Sequence, residues 1–370
     1  MHILFIGKRF YTNRDALIER YGRIFQLPRW WADAGHDARL WLIDYHTREY
    51  RQEAFAGLPI VSTPVGRWRF VRQLSAELSR VVRRAGRPQL VVASGDCYIG
   101  LLAYVVARLL RARFVFDLYD RYDVFEGYRR LPGFDPQTFL LRRADAVTFA
   151  SVTVRDELGD ETRRHSLVPN GVDREHFRPL PMADARRELG LPAAPSLVGY
   201  FGSMEPERGV ADLIEAVALL RDDDIDAALV IGGQAHPGVD LDRPWLHYLG
   251  NVDFQRVPWA LASCDVLALP YRNSPFLDNA ASCKIAEYIA AGRPIVATNT
   301  PNLMRNFEHQ AKQLRDAIAS PGDPAALAAC LRQQIRERQL ADMPDGMDWQ
   351  AISNRLLAFV TTELLPERGA

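Results

Sequence analysis

ALPYRNSPFLDNAASCKIAEYIAAGRPIVAT, residues Ala268–Thr298, reads as the end of a buried strand, a polar loop, a short helix and a second strand. The first strand is the apolar run Val266–Leu269. The loop carries Ser274, Asp278, Asn279 and Ser282, whose side chains bond nearby backbone and favour turns and N-caps over helix interiors. The helix, near Ser282–Ala291, stops at Gly292 with Pro294 two residues on, and Pro294–Thr298 supplies the next buried strand. Such a unit belongs to a parallel sheet, and the first N–H groups of its helix point at whatever anion occupies the crevice at the strand's carboxyl end. Lys284 fits that anion. A cation in a helix's first turn opposes the macrodipole at a cost of about a few tenths of a kcal/mol unless a negative group shares the site. Glu287, three residues on, lies on the same face. The pair therefore expects a ligand with phosphate first and hydroxyl groups beyond it.

Working outward, apolar runs alternate with amphipathic stretches along the whole chain, the rhythm of parallel sheets with crossover helices. In the first half, strands are expected near Ile3–Ile6, Ala38–Ile43, Leu90–Ala93, Arg113–Leu118 and Ala146–Ala150. Helices are expected near Gly22–Ala34, Trp68–Ala85, Tyr98–Leu110 and Pro136–Arg143. The rhythm pauses over Asn170–Pro195, rich in Pro, Gly and Asp apart from a short helix at Ala183–Leu189, which marks the domain junction. It restarts with strands near Leu197–Phe201, Ala227–Ile231, Leu246–Leu249, Val266–Leu269 and Pro294–Thr298, between helices near Val210–Leu220, Val257–Ala262 and Ser282–Ala291. Asp323–Arg338 and Trp349–Leu365 read as two late helices.

At 370 residues the chain suits two domains. Net charge is zero overall, but residues 1–180 hold 29 Lys and Arg against 21 Asp and Glu (+8), and residues 181–370 hold 17 against 25 (−8). The basic half suits an anionic partner such as a lipid headgroup. Only three of the 46 basic residues are lysines, which singles out Lys284 mildly. Cys97, Cys264, Cys283 and Cys330 are far apart, with no C-x-x-C pair, so neither disulfides nor structural zinc is expected and a reducing cytoplasm fits. The opening MHILFIG is too quickly interrupted by Lys8 and Arg9 for a signal peptide, and no apolar run approaches a membrane span. The stretch Trp68–Ala85 sets Phe70, Val71, Leu74 and Leu78 against Arg69, Arg72, Arg80 and Arg83, a basic amphipathic pattern suited either to a crossover helix with a wet arginine face or to anionic lipid.

Three further stretches carry chemistry. Val168–Pro179, VPNGVDREHFRP, contains the Asn170-Gly171 pair, which wants a left-handed turn that brings backbone close to a cleft. In Tyr200–Val210, YFGSMEPERGV, Gly202 permits a tight strand exit, and Arg208 and Gly209 stand where a phosphate docks at the start of the next helix. Phe116–Asp120, FDLYD, ends a strand on Tyr119 and Asp120. Together with Glu287, the first two resemble the interdomain turn and phosphate loop of the retaining family 4 glycosyltransferases.

That resemblance implies an α/β GT-B fold: two doubly wound Rossmann-like domains with an interdomain cleft and a C-terminal helix crossing back to the first domain. The domains would be 1–178 for the acceptor, 179–347 for the nucleotide-sugar donor and 348–370 for the returning helix. It implies that Glu287 accepts hydrogen bonds from ribose hydroxyls. Asn279, Ala280, Ala281, Ser282, Cys283, Lys284 and Ile285 would grip the sugar and its phosphates, and Asn251 and Val252, after Gly250, the base. Arg208 stands where the family commonly has lysine, and Ser203 where it has a second basic residue, so Lys284 would supply the other cation. Asn279 replaces the first of the family's paired glutamates unless Asp278 serves. Tyr119 and Asp120 take the places of a histidine and an acid over the reacting carbon. Gly22, Asp123, Glu126 and Asn170 would face the acceptor, while Trp30 and Trp31 are expected to pack on the sheet.

The activity implied is retaining transfer of a sugar from a nucleoside diphosphate sugar, UDP- or GDP-linked, to a hydroxyl of a glycan, glycolipid or small-molecule acceptor in surface polysaccharide or glycoconjugate biosynthesis. No metal or other cofactor is demanded and no nucleic acid is expected; the protein would be cytoplasmic, with peripheral membrane contact through its basic first domain. A non-catalytic sugar-nucleotide binder of the same fold is the alternative. A dinucleotide oxidoreductase is disfavoured because GKRFYTNRD, after the first strand, lacks G-x-G-x-x-G.

Overall fold

The structure, a computed structural model, describes residues 1–11, 14–47, 49–65, 75, 76, 79, 87–124, 127–130 and 132–365. The chain divides into two units, one of Met1–Gly171 together with the stretch from Asp348 onward, the other of Val172–Met347. By contacts the division falls between Gly171 and Val172, just after the Asn170-Gly171 pair, and neither residue of that pair takes the left-handed φ expected of it, so the chain passes there without the expected turn.

In the first unit the chain runs through β1 (His2–Lys8), the small antiparallel ribbon β2 (Phe10–Tyr11) and β3 (Arg14–Asp15), helix α1 (Gly22–Asp33) and β4 (Asp37–Asp44). It continues through β5 (Arg51–Phe55), β6 (Leu58–Pro64), β7 (Leu90–Ser94), α2 (Cys97–Leu110), β8 (Arg113–Leu118), α3 (Pro136–Arg143), β9 (Ala146–Phe149), α4 (Val152–Leu158) and β10 (His165–Leu167). The sheet order is β10-β9-β8-β7-β1-β4-β6-β5, parallel except for β5. Because β1 pairs with both β4 and β7, the connections lead away from it in opposite directions, and the crevice at a doubly wound sheet's switch point opens at the carboxyl ends of β1 and β7. The central strands β1, β7 and β9 are apolar runs buried on both faces, as a sheet covered by helices requires.

The β5–β6 hairpin is absent from the sequence expectation. Its turn places Ala56 at φ 46° and Gly57 at φ 82°, both left-handed, and an alanine at the first position gives no Asn-Gly signal. Also unforeseen are β10, three half-buried residues with no periodicity to read, and the two-residue strands β2, β3 and Ile318–Ala319, too short to carry any. The expected helix Trp68–Ala85 falls largely outside the described residues.

The second unit has α5 (Met182–Leu189), β11 (Ser196–Phe201), α6 (Val210–Asp222), β12 (Ala227–Gly232), β13 (Leu246–Tyr248), α7 (Val257–Ala262) and β14 (Val266–Leu269). There follow α8 (Pro275–Asn279), α9 (Lys284–Ala290), β15 (Ile295–Thr298), α10 (Pro301–Asn306), α11 (Glu308–Gln313), β16 (Ile318–Ala319) and α12 (Pro324–Glu337). All six strands are parallel in the order β13-β12-β11-β14-β15-β16, so the switch point lies between β11 and β14. The loop after β14 is not wholly irregular: Ser274 caps α8, its hydroxyl accepting the Leu277 N–H at 3.1 Å. The next helix starts at Lys284 rather than Ser282 and ends before Gly292, at φ 66°. The last helix, α13 (Trp349–Glu363), packs on α1 within the first unit. The indole of Trp31 donates to the Ser353 carbonyl at 3.0 Å, and the Ser353 hydroxyl to the Leu27 carbonyl at 3.0 Å. Trp31 is fully buried, with its ring 5.9 Å from Phe5.

Candidate functional site

The carboxyl ends of β11 and β14 bring together the phosphate-loop and Glu287 stretches. After β11, the Gly202 N–H donates to the Gly232 carbonyl at 2.8 Å, and the chain folds through Ser203 to Arg208 before α6 begins. The fully buried Tyr200 pins this loop, its hydroxyl donating to the Ser203 carbonyl at 2.6 Å. From the other side, Tyr288 of α9 accepts the Phe201 N–H at 3.2 Å, tying that helix to the end of β11. Burial pushes the Tyr200 and Tyr288 phenols well above their ordinary pKa, so both stay neutral.

Arg208 reaches across to the loop after β14. Its guanidinium carbon is 5.2 Å from the Tyr271 ring centroid and 5.7 Å from that of Phe276, and its Nε is 3.6 Å from the Glu205 carboxylate. Burial alone would lower its pKa, but Tyr271, Tyr200 and Glu205 outweigh burial and hold it above the usual arginine value. Ser203, in the place of a second basic residue, hydrogen bonds to Glu205 and offers no charge of its own.

Lys284 occupies the first position of α9 and lies over Gly202: a Cβ on that glycine would come within 2.9 Å of Lys284 Cε and 3.2 Å of its Nζ. Among the described residues no carboxylate pairs with the ammonium. Cys283, at the cap position, makes no capping side-chain bond, so the first-turn amides seek an acceptor outside the helix. One turn on, Glu287 is buried to 9% exposure, and no hydrogen bond or ion pair falls on its carboxylate among the described residues. A buried carboxylate without a partner is costly in a finished core and ordinary in a pocket that awaits one.

The rest of the expected donor group is held by neighbouring helices. Asn279 turns its amide into its own helix, Nδ2 donating to the Pro275 carbonyl at 3.0 Å. Burial pushes the Asp278 carboxyl up, against a backbone bond from Ser274. Asn302 and Asn306 of α10 donate to the carbonyls of Leu277 and Ala280 at 3.4 and 3.5 Å, fixing the approach to half-buried Ala281, Ser282 and Cys283. At the other flank, the Gly233 N–H donates to the Gly250 carbonyl at 2.8 Å, and the Tyr248 hydroxyl to the Gly233 carbonyl at 2.8 Å. Val252 packs so tightly on Gly232 that a Cβ there would meet its Cγ2 at 2.7 Å, whereas Asn251 is exposed. Gly202, Ser203, Arg208, Val252, Lys284 and Glu287 therefore share one edge of the sheet.

In the first unit, Tyr119 directly follows β8 and is almost buried, edge-on to Tyr11 at 5.9 Å and Tyr122 at 5.6 Å, with the Arg23 guanidinium 5.7 Å from its ring. Burial keeps its phenol neutral. Asp120 follows, half-buried. Gly22, at φ 68°, opens α1 where a Cβ would fall 1.3 Å from the Tyr11 hydroxyl, so only glycine fits. Two residues expected to face an acceptor are already engaged. Asp123 pairs with Arg121 at 2.8 and 2.9 Å, and the Asn170 carboxamide oxygen accepts from Arg23 Nη1 at 2.8 Å. Glu126 lies outside the described residues.

Sequence reasoning misses the buried Arg23–Asp117 pair. Asp117 accepts Arg23 Nε and Nη2 at 2.9 and 2.7 Å and the hydroxyls of Ser94 and Thr148 at 2.6 and 2.7 Å, while Arg23 also donates to the Val168 carbonyl at 3.0 Å. It joins α1, β7, β8, β9 and the loop before Gly171. The only local signal is a charge inside otherwise apolar runs. Tyr200, Tyr271 and Tyr288 are missed for the same reason, each reading as a plain core residue.

Two doubly wound units, with a lysine and a buried glutamate at one switch point that pair with nothing among the described residues, define a GT-B glycosyltransferase architecture. Residues 195–337 match the family described as Glycosyl transferases group 1, and residues 23–171 match the Glycosyl transferase 4-like domain. The chain belongs to the GT-B glycosyltransferases of the family 4 type. A glycogen synthase from Mycobacterium tuberculosis is 25% identical over 243 residues, 59% of this chain and 54% of that protein. The chain thus spans about half the length of the curated relatives it matches. Among solved structures, a sucrose-phosphate synthase from Thermosynechococcus elongatus superposes with a TM-score of 0.71 at 15% identity, over 98% of this chain and 99% of that one. The Anabaena protein HepE, solved with UDP, gives 0.69 at 18%, over 98% and 100%. Among the described residues no helix is long and apolar enough to cross a membrane, and no cluster of three or more His, Cys, Asp or Glu is placed to hold a metal ion.

Proposed function

We propose that this chain is a retaining glycosyltransferase that moves a sugar from a nucleoside diphosphate sugar, UDP- or GDP-linked, to a hydroxyl of a glycan, glycolipid or small-molecule acceptor. The reading rests on one observation: the buried Glu287 carboxylate lies one helical turn from the Lys284 ammonium, which itself lies over Gly202, and neither group has a partner among the described residues. A carboxylate with four lone-pair sites and no donor suits a ribose diol, and a cation at a helix start suits a diphosphate.

In this reading Arg208, Lys284 and the first-turn amides of α9 neutralise the diphosphate as the bond between the anomeric carbon and the phosphate oxygen breaks. The departing oxygen takes the proton of the acceptor hydroxyl on the same face, and the new bond to the acceptor oxygen forms there. Configuration is retained and no enzymic nucleophile is required. In the first unit, which would bind the acceptor, Tyr119 offers a neutral donor and Asp120 an acceptor. No resident metal or cofactor takes part. The setting we assign is cytoplasmic surface polysaccharide or glycoconjugate synthesis, with peripheral attachment to the membrane.

A thermal-shift panel of uridine, guanosine, thymidine and adenosine diphosphate sugars tests the donor, since a ligand at a hundredfold its Kd stabilises a protein by about 2.7 kcal/mol. Release of free nucleotide then tests transfer. Binding with no release for any acceptor would favour a non-catalytic binder, a reading in keeping with Ser203 and Asn279 both bonded within their own loops. No shift with any of the four would remove the proposal.

A further inference from the structure

Helix α2, CYIGLLAYVVARLL, carries one charged residue, Arg108, in fourteen. A helix apolar all round belongs in a core with neighbours on every side. Here Cys97, Ile99, Gly100, Ala103, Val106, Ala107 and Leu110 are buried, yet the opposite face is open: Tyr98 is 43% exposed, Val105 52% and Leu109 66%. Leu101 and Leu102 are half-buried between them. Positions 98, 102, 105 and 109 recur at helical spacing and form one stripe, about 17 Å long at 1.5 Å per residue.

The charge around the stripe is uneven: Asp96 caps its Tyr98 end, and its Leu109 end is basic. At the Leu109 end, Arg108 and Arg113 share one carboxylate, Asp145, at 2.6 and 3.3 Å. Exposed Arg111, with Arg142 and Arg143 at the end of the adjoining α3, pairs with no carboxylate among the described residues, and neither do those two. Five arginines thus face one aspartate. At the other end the Tyr98 hydroxyl accepts the Arg129 N–H at 3.0 Å, so an amphipathic ring marks the border of the stripe.

We infer that the outer face of Cys97–Leu110 docks this protein on an anionic lipid surface, with Val105 and Leu109 entering the headgroup boundary and the arginine end seated on lipid phosphates. Exposed apolar stripes of this kind mark contact surfaces. The arginines choose the occupant: a second copy docked about a two-fold axis would bring the same uncompensated cations together, whereas an anionic bilayer neutralises them. The helix starts from the carboxyl edge of β7, so a surface lying along it reaches the switch-point edge of the first unit, where a lipid-borne acceptor would be met. The inference specifies the peripheral attachment proposed above and does not depend on the identity of the donor.

The test is co-sedimentation of the full chain with vesicles of phosphatidylcholine alone and of phosphatidylcholine mixed with phosphatidylglycerol. Val105→Glu and Leu109→Glu are compared with Leu340→Glu, an equally exposed leucine in the second unit (56%). The wild type and Leu340→Glu should sediment with the mixed vesicles and much less with the neutral ones. Each α2 variant should bind the mixed vesicles roughly tenfold more weakly, with unchanged melting temperature and nucleotide-sugar binding. Equal sedimentation of wild type and α2 variants, or no preference for the anionic vesicles, would overturn it. So would a wild-type dimer that the variants dissociate, which would make the occupant a second copy. An α2 variant that melts earlier would show the stripe to be covered by the chain itself, again against the inference. Loss of donor binding in the wild type would instead count against the catalytic reading alone.

Discussion

Gly209 faces the carbonyl oxygen of Pro270 so closely that a Cβ on it would sit 1.8 Å away. The loops after β11 and β14 touch backbone to backbone there, and Gly209 starts α6 at φ 67°, a left-handed conformation. Close passage of these loops is what sets Arg208 against Tyr271 and Phe276. Gly209→Ala meets both a steric wall and a conformational penalty of about 1–2 kcal/mol for the left-handed backbone alone. We expect a loss of at least about 2 kcal/mol in urea unfolding, with weaker nucleotide binding. Unchanged stability would mean the loops can part freely.

Glu287→Gln separates binding from folding. Among the described residues the carboxylate has no partner, so the ligand-free variant should melt no lower than the wild type. Its affinity for a nucleotide sugar should fall about 10- to 100-fold by calorimetry, the worth of a hydrogen bond to a charged acceptor. A drop in ligand-free stability with affinity intact would give Glu287 a structural role.

Lys284→Met removes a cation from a helix start where it has no ion-pair partner among the described residues. The ligand-free melting temperature should hold or rise slightly. The turnover number, measured by nucleotide release, should drop about 100-fold or more if the ammonium stabilises developing charge on the leaving diphosphate. A change in KM alone would leave Lys284 as a binding residue only.

Arg23→Met strands the Asp117 carboxylate in the first unit's core, both residues being essentially inaccessible. Removing one partner of a buried pair costs about 3–5 kcal/mol. The double variant Arg23→Met with Asp117→Leu should recover much of that loss. Equal instability of single and double variants would show that the hydrogen bonds to Ser94 and Thr148, not the charge, carry the effect.

Asp123 gives a pH signature. The hydrogen bond from Arg121, together with its charge, holds this carboxyl below its ordinary pKa against burial. A depressed folded-state value contributes stability above the unfolded pKa, about 3.9, and loses it as pH falls through the folded value. Asp123→Asn should therefore be less stable than wild type at pH 7, by unfolding titration, with the gap closing below about pH 4. A gap independent of pH would remove the ion pair as its cause.

Much of this was open to reading along the chain. Strands such as Val266–Leu269 and Ile295–Thr298 are unbroken apolar runs, and Gly292 with Pro294 ends a helix by local backbone chemistry alone. Lys284 and Glu287 share a helix face through a spacing that any α-helix enforces. The Ala56-Gly57 hairpin was illegible because an alanine at positive φ is held by the strands it joins rather than by its own preference. Asn170 and Asp123 looked available in the sequence; the fold gave their side chains to Arg23 and Arg121.

By itself, then, the amino-acid order determined the α/β alternation, the two-domain plan and the loops that carry Gly202, Arg208 and Glu287, since periodicity, turn residues and capping act over a few neighbours. Only the tertiary structure decided which polar groups meet. Arg23 finds Asp117 across 94 positions, and Tyr288 finds the Phe201 amide across 87. Such pairings depend on where crossover connections bring distant strands side by side, and no local pattern encodes that.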